Sequence, residues 1–214
     1  AEDGLPKGEL GRIGVAICRS QPNVVYALVE AEKSALLRSD DGGKSFKSVN
    51  TDTNIVPRPF YFAELRVDPL WPNRIYSLEY GVSVSDDGGK SFRRLPGADA
   101  LHGDYHAMWI DPADGNRIYL SDDGGVGVSD DRGETARHVG TLPLAQFYHV
   151  AVDDAVPYHV MGGLQDNGSW RGPSSSWGSG GIRADEWSMA GGGDGFDTQP
   201  VPGSPDEVYS MSQG

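Results

Sequence analysis

An eight-residue stretch, Ser39-Asp40-Asp41-Gly42-Gly43-Lys44-Ser45-Phe46, returns unchanged as Ser85-Asp86-Asp87-Gly88-Gly89-Lys90-Ser91-Phe92. It returns in worn form as Ser129-Asp130-Asp131-Arg132-Gly133-Glu134-Thr135-Ala136. The copies start roughly 45 residues apart, a period that belongs to repeat architectures built from one supersecondary unit per repeat. Each copy is a turn by its chemistry. An Asp side chain accepts hydrogen bonds from backbone N–H groups a few residues on, and glycine permits the positive φ that tight turns need. The turn-forming positions are Ser39, Asp41, Gly43 and Phe46, then Ser85, Asp87, Gly89 and Phe92, then Ser129, Asp131 and Gly133. Phe46 and Phe92 are expected to fold back beneath their turns. The third copy ends in Ala136 and lacks that plug.

Each turn lies between two short apolar runs, so it reads as a hairpin between strands. Upstream, the repeat extends to an apolar strand, a Pro/Asn corner and a strand carrying a tyrosine. The examples are Gln21-Pro22-Asn23 before Tyr26, Pro72-Asn73 before Tyr76, and Gly115-Asn116 before Tyr119. A fourth unit follows around Val150 to Met161, and a fifth begins at Phe196 and stops after its second strand. The spacing predicts four strands, a to d, in each unit: blades at about 11–49, 62–95, 106–139 and 147–190, and a half blade at 194–214. The fourth carries a long Gly/Ser-rich insertion before its last strand. No stretch shows apolar residues at helical spacing. The fold class is therefore all-β, built from four-stranded antiparallel repeats, which the resemblance given below implies are the blades of a β-propeller. A half blade leaves a strand edge unpaired, so further blades of a longer chain, or a second subunit, are expected to complete the ring.

Composition narrows the function. Lys and Arg number 18 against 31 Asp and Glu, a net charge of −13. Such a surface repels phosphate backbones and argues against nucleic-acid partners. The single cysteine, Cys18, excludes an intramolecular disulfide and reads as a small buried hydrophobe. No Cys/His spacing suits zinc, and no apolar run reaches the ~18 residues of a membrane helix. No cofactor is expected. Ca²⁺ stays open, because carboxylates abound but a complete D-x-D-x-D-G loop does not occur.

The pattern Ser-x-Asp-x-Gly-x-x-Phe resembles the Asp-box, or bacterial neuraminidase repeat, which joins the third and fourth strands of propeller blades in sialidases, xyloglucanases and sortilin-type receptors. Beyond the boxes, Gly11-Arg12-Ile13-Gly14-Val15-Ala16, Ala145-Gln146-Phe147-Tyr148-His149-Val150 and Gln165-Asp166-Asn167-Gly168-Ser169-Trp170-Arg171-Gly172 are similar to large bacterial sortilin-like or glycosyl-hydrolase-like repeat proteins. That resemblance covers nearly the whole chain. It implies an exported protein, extracellular or periplasmic, and a structural role for the boxes. Sialidases carry an early Arg-Ile-Pro, where this chain has Arg12-Ile13-Gly14 and, later, Arg58-Pro59, so their mechanism is not expected. Xyloglucanases place acid and base on two separate propellers, only part of one of which is matched here.

Propeller geometry then sorts the loops. The box turns share a face with the a–b turns, and sites are expected opposite, on the b–c turns and the connections between blades. Residues pointing there include Asp104, Tyr105, His106, Asp122, Asp123, Gln165, Asp166, Asn167, Trp170 and Asp194. Two readings lead. In the first, Tyr105, His106, Gln165, Asp166, Asn167 and Trp170, with Trp177 and Tyr148 as further anchors, bind a protein, peptide or glycan without chemistry. In the second, two of Asp104, Asp123, Asp166 and Asp194 serve as acid and base, or acid and nucleophile, on a glycosidic bond. The binding module is the preferred reading, and a fragment of a glycoside hydrolase is the alternative. Trp71, Trp109 and Trp187 are expected in packing, His149 and His159 in strands, and His102 and His138 in solvent.

Overall fold

A computed structural model describes residues 4–52, 55, 61, 64–142 and 144–213. The start of the second blade's first strand, expected from residue 62, and Arg58-Pro59 lie outside the described residues. The chain forms two compact units, Ala1–Gly140 and Thr141–Gly214.

The first unit holds three four-stranded antiparallel meanders. Blade one is β1 (Leu10–Ile17), β2 (Val25–Ala31), β3 (Ala35–Ser39) and β4 (Lys47–Asn50); blade two is β5 (Glu64–Val67), β6 (Ile75–Leu78), β7 (Val82–Ser85) and β8 (Arg93–Arg94). Blade three is β9 (Tyr105–Ile110), β10 (Ile118–Asp122), β11 (Gly125–Ser129) and β12 (Arg137–His138). These are propeller blades, with strand ends shifted by a residue or two from the expected ranges. The registers repeat: Ile17 faces Val25, Val67 faces Ile75 and Ile110 faces Ile118.

Alternation along the strands makes each blade two-faced. Ala16, Tyr26, Leu28 and Leu36 of blade one pack with Leu65, Val67 and Ile75 of blade two. Tyr76, Leu78, Val82 and Val84 of blade two pack with Met108, Ile110, Ile118 and Leu120 of blade three. Tyrosines lock the blades by their hydroxyls as well as their rings: Tyr26 is fully buried and donates to the Pro72 carbonyl (2.8 Å) of the next blade. Cys18 is free and buried, as expected.

The acidic turns form as their chemistry predicts. In the second copy the Ser85 hydroxyl donates to Asp87 (2.8 Å) and accepts from Gly89 N–H (2.9 Å). Asp87 also takes Lys90 N–H (2.9 Å), Ser91 N–H (3.0 Å) and the Ser91 hydroxyl (2.6 Å). These donors, the Ser91 hydroxyl first, hold the Asp87 carboxyl down at about 2. Each turn is tied to the a–b corner of its own blade. Gly42, Gly88 and Arg132 donate their N–H groups to the carbonyls of Asn23, Asn73 and Asn116, each at 2.9 Å. Phe46 and Phe92 are partly buried against the cores, so the plug forms.

The second unit contains one meander, β13 (Ala151–Val152), β14 (His159–Gly163), β15 (Ser169–Pro173) and β16 (Ser188–Gly191), and a hairpin of β17 (Gly195–Val201) with β18 (Ser204–Ser212). The hairpin backbone approaches β14 closely: a β-carbon on Gly163 would fall 2.2 Å from the Phe196 carbonyl oxygen. Two expectations need correction here. The fourth blade is expected to open with a strand from residue 147, but there Phe147 makes only an isolated bridge to Leu164 and the strand proper is Ala151–Val152, so His149 lies outside it and is exposed. Residues 174–187 connect β15 to β16, which puts Trp177, fully exposed, at the end of the blade away from the b–c turn. His159 sits in a strand as expected, its ring Nδ1 2.7 Å from the carboxylate of the buried Asp153.

Candidate functional site

At the b–c ends of the first unit's blades, backbone bonds stitch one blade to the next. Asp104 N–H donates to the Tyr80 carbonyl (3.0 Å) and Tyr105 N–H to the Glu79 carbonyl (2.7 Å). Asp104 adopts φ of +55°, a left-handed conformation that Asp tolerates better than most residues. These bonds hold the start of β9 against the b–c turn of blade two, and side chains from the first strands of the three blades form a polar array at this end.

Arg12 of β1 donates to the Tyr61 carbonyl (2.8 Å) and lies 3.7 Å from the Glu64 carboxylate. Glu64 is shared: its other oxygen accepts from Arg66 (2.8 Å), which also donates to the Met108 carbonyl (3.1 Å) of β9. Across from it, the His106 ring lies edge-on to Tyr61 at 5.6 Å and pairs with Asp123 at 3.1 Å. Tyr61 and His106 stay 48% and 41% exposed respectively, so a ligand can reach both. The array thus alternates in sign from Arg12 through Glu64 to Arg66, with the His106–Asp123 contact beside it.

Glu79 stands at the same end. Its side chain is half-buried, and burial pushes the carboxyl up to about 7 against a weak opposing bond from the Ser77 hydroxyl (3.4 Å). Sequence reading missed Arg12, Tyr61, Glu64 and Glu79 as site residues. All but Tyr61 sit at strand ends within the a–b sheets, where a charged residue looks like ordinary solvated surface. Only the placement of neighbouring blades distinguishes them.

Several expected site residues are reassigned. Tyr105 is fully buried, with its hydroxyl donating to the Ala98 carbonyl (2.7 Å), and is core rather than ligand-binding. Asp122 belongs to β10 and is buried, accepting Gly124 N–H (2.9 Å), so the b–c turn of blade three is Asp123-Gly124 alone. Trp71 and Trp109, expected in packing, are about half exposed, at 51% and 50%. His102 and His138 are exposed as expected.

The remaining candidates belong to the second unit. There Gln165-Asp166-Asn167-Gly168 is a tight turn, with positive φ at Asp166 and Gly168. Asp194 accepts Asp166 N–H (2.7 Å), and the Trp170 indole donates to the Asn167 carbonyl (2.7 Å). Gln146 donates to the exposed Gln165 side chain (3.1 Å), and Tyr148 stacks flat on Phe196 at 4.8 Å. The group combines a structural turn with exposed amides and a stacked aromatic pair. Among the described residues, no cluster of His, Cys, Asp or Glu is grouped to hold a metal ion, and no helix is long and apolar enough to cross a membrane.

No protein-family model matches the chain, and no curated protein matches it in sequence. Solved structures do resemble it. A GH74 enzyme from Niastella koreensis superposes with a TM-score of 0.50 at 15% identity, covering 94% of this chain and 33% of that one. The GH74 xyloglucanase from Xanthomonas campestris gives 0.46 at 17% identity, covering 92% and 34%. YCF48 from Cyanidioschyzon merolae gives 0.43 at 12% identity, covering 92% and 62%. The chain spans about a third of the length of the two GH74 enzymes. At these identities the likeness establishes the β-propeller fold.

Proposed function

We infer that the chain is a binding module that takes a peptide or protein segment on the first unit at the b–c ends of its blades, over Arg12, Tyr61, Glu64, His106 and Asp123. One observation carries this reading: the carboxylates beside Tyr61 and His106 are already engaged. Glu64 is held between two arginines and Asp123 by His106. A glycosidase needs one carboxyl free to give a proton and another free to attack or activate water. An array of paired charges around exposed Tyr61 and His106 instead supplies fixed complementarity for a partner's own charges and backbone.

Binding to a peptide array tests the reading. Peptides that bind the wild type are expected to lose about tenfold or more in affinity with His106→Ala or Tyr61→Ala, a loss of about 1.4 kcal/mol. Unchanged binding in both variants would overturn it.

A second reading rests on Glu79. A carboxyl that keeps its proton to about pH 7 is suited to act as a general acid. Release of reducing sugar from a glycan panel, abolished by Glu79→Gln, would establish that reading in place of the first.

A further inference from the structure

The opposite end of the first unit, where the acidic turns lie, carries a concavity of about 620 Å³ between the a–b corners of blades one and two. Its walls include Gln21, Leu70, Trp71, Asn73, Arg74 and Asp86. Small-molecule sites fall in the range of ~300–1,000 Å³ and combine an apolar surface with a few directed polar groups. Here the apolar surface is the Trp71 indole, which is half exposed. Trp71 stands where the first and third repeats have Gln21 and Asp114, so the repeat itself does not call for an aromatic. One face of the ring is occupied by the Arg132 guanidinium, 3.6 Å from its centroid.

The two charged residues that line this concavity, Arg74 and Asp86, are paired with each other. Arg74, whose side chain is 7% exposed, pairs with Asp86 and donates to the Tyr76 hydroxyl (2.7 Å) and the Arg132 carbonyl (3.3 Å). Arg38 pairs with Asp40 (2.8 Å) and donates to the Asn73 side-chain oxygen (2.6 Å). That bond fixes the Asn73 amide with its NH₂ left to donate. The lining guanidinium and carboxylate are thus matched and the lining carries no net charge, while the Nη1 of Arg132, over the indole, is buried without a hydrogen-bond partner. The site offers an indole surface beside two side-chain amides, which suits a ligand that is uncharged, rich in hydroxyls and flat on one side.

We propose that this concavity is a saccharide-binding subsite, with Trp71 as the stacking platform and Gln21 and Asn73 as hydrogen-bonding partners for ring hydroxyls. The sugar ring lies against the indole, and its hydroxyls exchange water for the amides. The subsite is separate from the array around His106 and does not depend on what that array binds.

Calorimetric titration of the whole chain with cellohexaose, mannohexaose and xylohexaose tests the proposal, with a Lys/Arg-rich peptide as the charged control. At least one of the three sugars is expected to bind with a dissociation constant below ~10 mM, the weak end of specific recognition. Trp71→Ala and Gln21→Arg should each weaken it about tenfold or more. Gln21→Arg fills the concavity from an exposed position, so it remains informative if Trp71→Ala disturbs the Arg132 stack and the fold. His106→Ala should leave sugar binding unchanged. No binding by any of the three sugars, or binding unaltered by Gln21→Arg, would overturn the proposal.

Discussion

At the scale of single residues, the acidic turns are governed by their serines and aspartates. Ser85 is buried and bridges Asp87 to Gly89 N–H, so Ser85→Ala leaves a buried donor without a partner and should cost about 1–3 kcal/mol in urea unfolding. The aspartates set an acid limit. The carboxyl of Asp87 lies at about 2 in the folded chain against an ordinary value of 3.8, and those of Asp41 and Asp131 are also lowered. Their stabilisation is fully present above pH 4 and is lost as pH falls toward 2. A denaturation profile should therefore fall over that interval, and the fall should be smaller in Asp87→Asn. Glu79 works in the other direction. Its folded-state value of about 7 lies above the ordinary 4.5, so stability is full below pH 4.5 and declines as pH rises toward 7. Glu79→Gln should remove that decline, and an unchanged profile would mean that Glu79 is not buried as described. Arg132 explains why the third turn tolerates a departure from glycine. It takes φ of +64°, its backbone N–H still reaches Asn116, and its guanidinium bonds the Asn116 side chain (2.9 Å) and covers Trp71. The sequence showed the substitution and not the compensation, because Trp71 lies in a different repeat.

At the scale of elements, equivalent strand positions have very different surroundings. Val15, Leu65 and Met108 occupy one position of the first strand, opposite Ala27, Ser77 and Leu120. Leu65 and Met108 are 2% and 5% exposed, whereas Val15 is 59% exposed. Blade two and blade three are each covered on this face by the preceding blade. Leu65→Ala should thus cost about 2–5 kcal/mol. Val15→Ala should stay within about 0.5 kcal/mol, as surface changes do. Equal costs in chemical denaturation would show that the face of β1 is covered in solution. Periodicity read from the sequence located these strands and their alternation, but it could not say which blade faces have a neighbour. The same limit explains Tyr105. Its place at the start of β9 resembles a rim position, and only the Ala98 carbonyl beneath its hydroxyl identifies it as core.

Across the whole molecule, burial is uneven. Among the described residues, three clusters of buried apolar side chains lie in the first unit. Among the described residues of the second unit, Met161 is the one hydrophobic side chain that is fully buried, while Val150, Val152, Met189 and Tyr209 are exposed. Local opening free energy follows buried apolar contact. Hydrogen exchange should accordingly protect β2, β6 and β10 more strongly than β14 and β17, and urea unfolding should begin in the second unit. Uniform protection along the chain would contradict this. By itself the sequence determined the repeat, the all-β class, the meander of each blade and the place of the acidic turns between third and fourth strands. All of these follow from local signals, namely turn chemistry, alternation and period. Tertiary structure alone decided the pairing of Glu64 with two arginines, the burial of Tyr105 and Asp122, and the exposure of Trp71 beside a concavity. Those depend on contacts between residues roughly one repeat apart, where packing of neighbouring blades, not local propensity, sets the environment of a side chain.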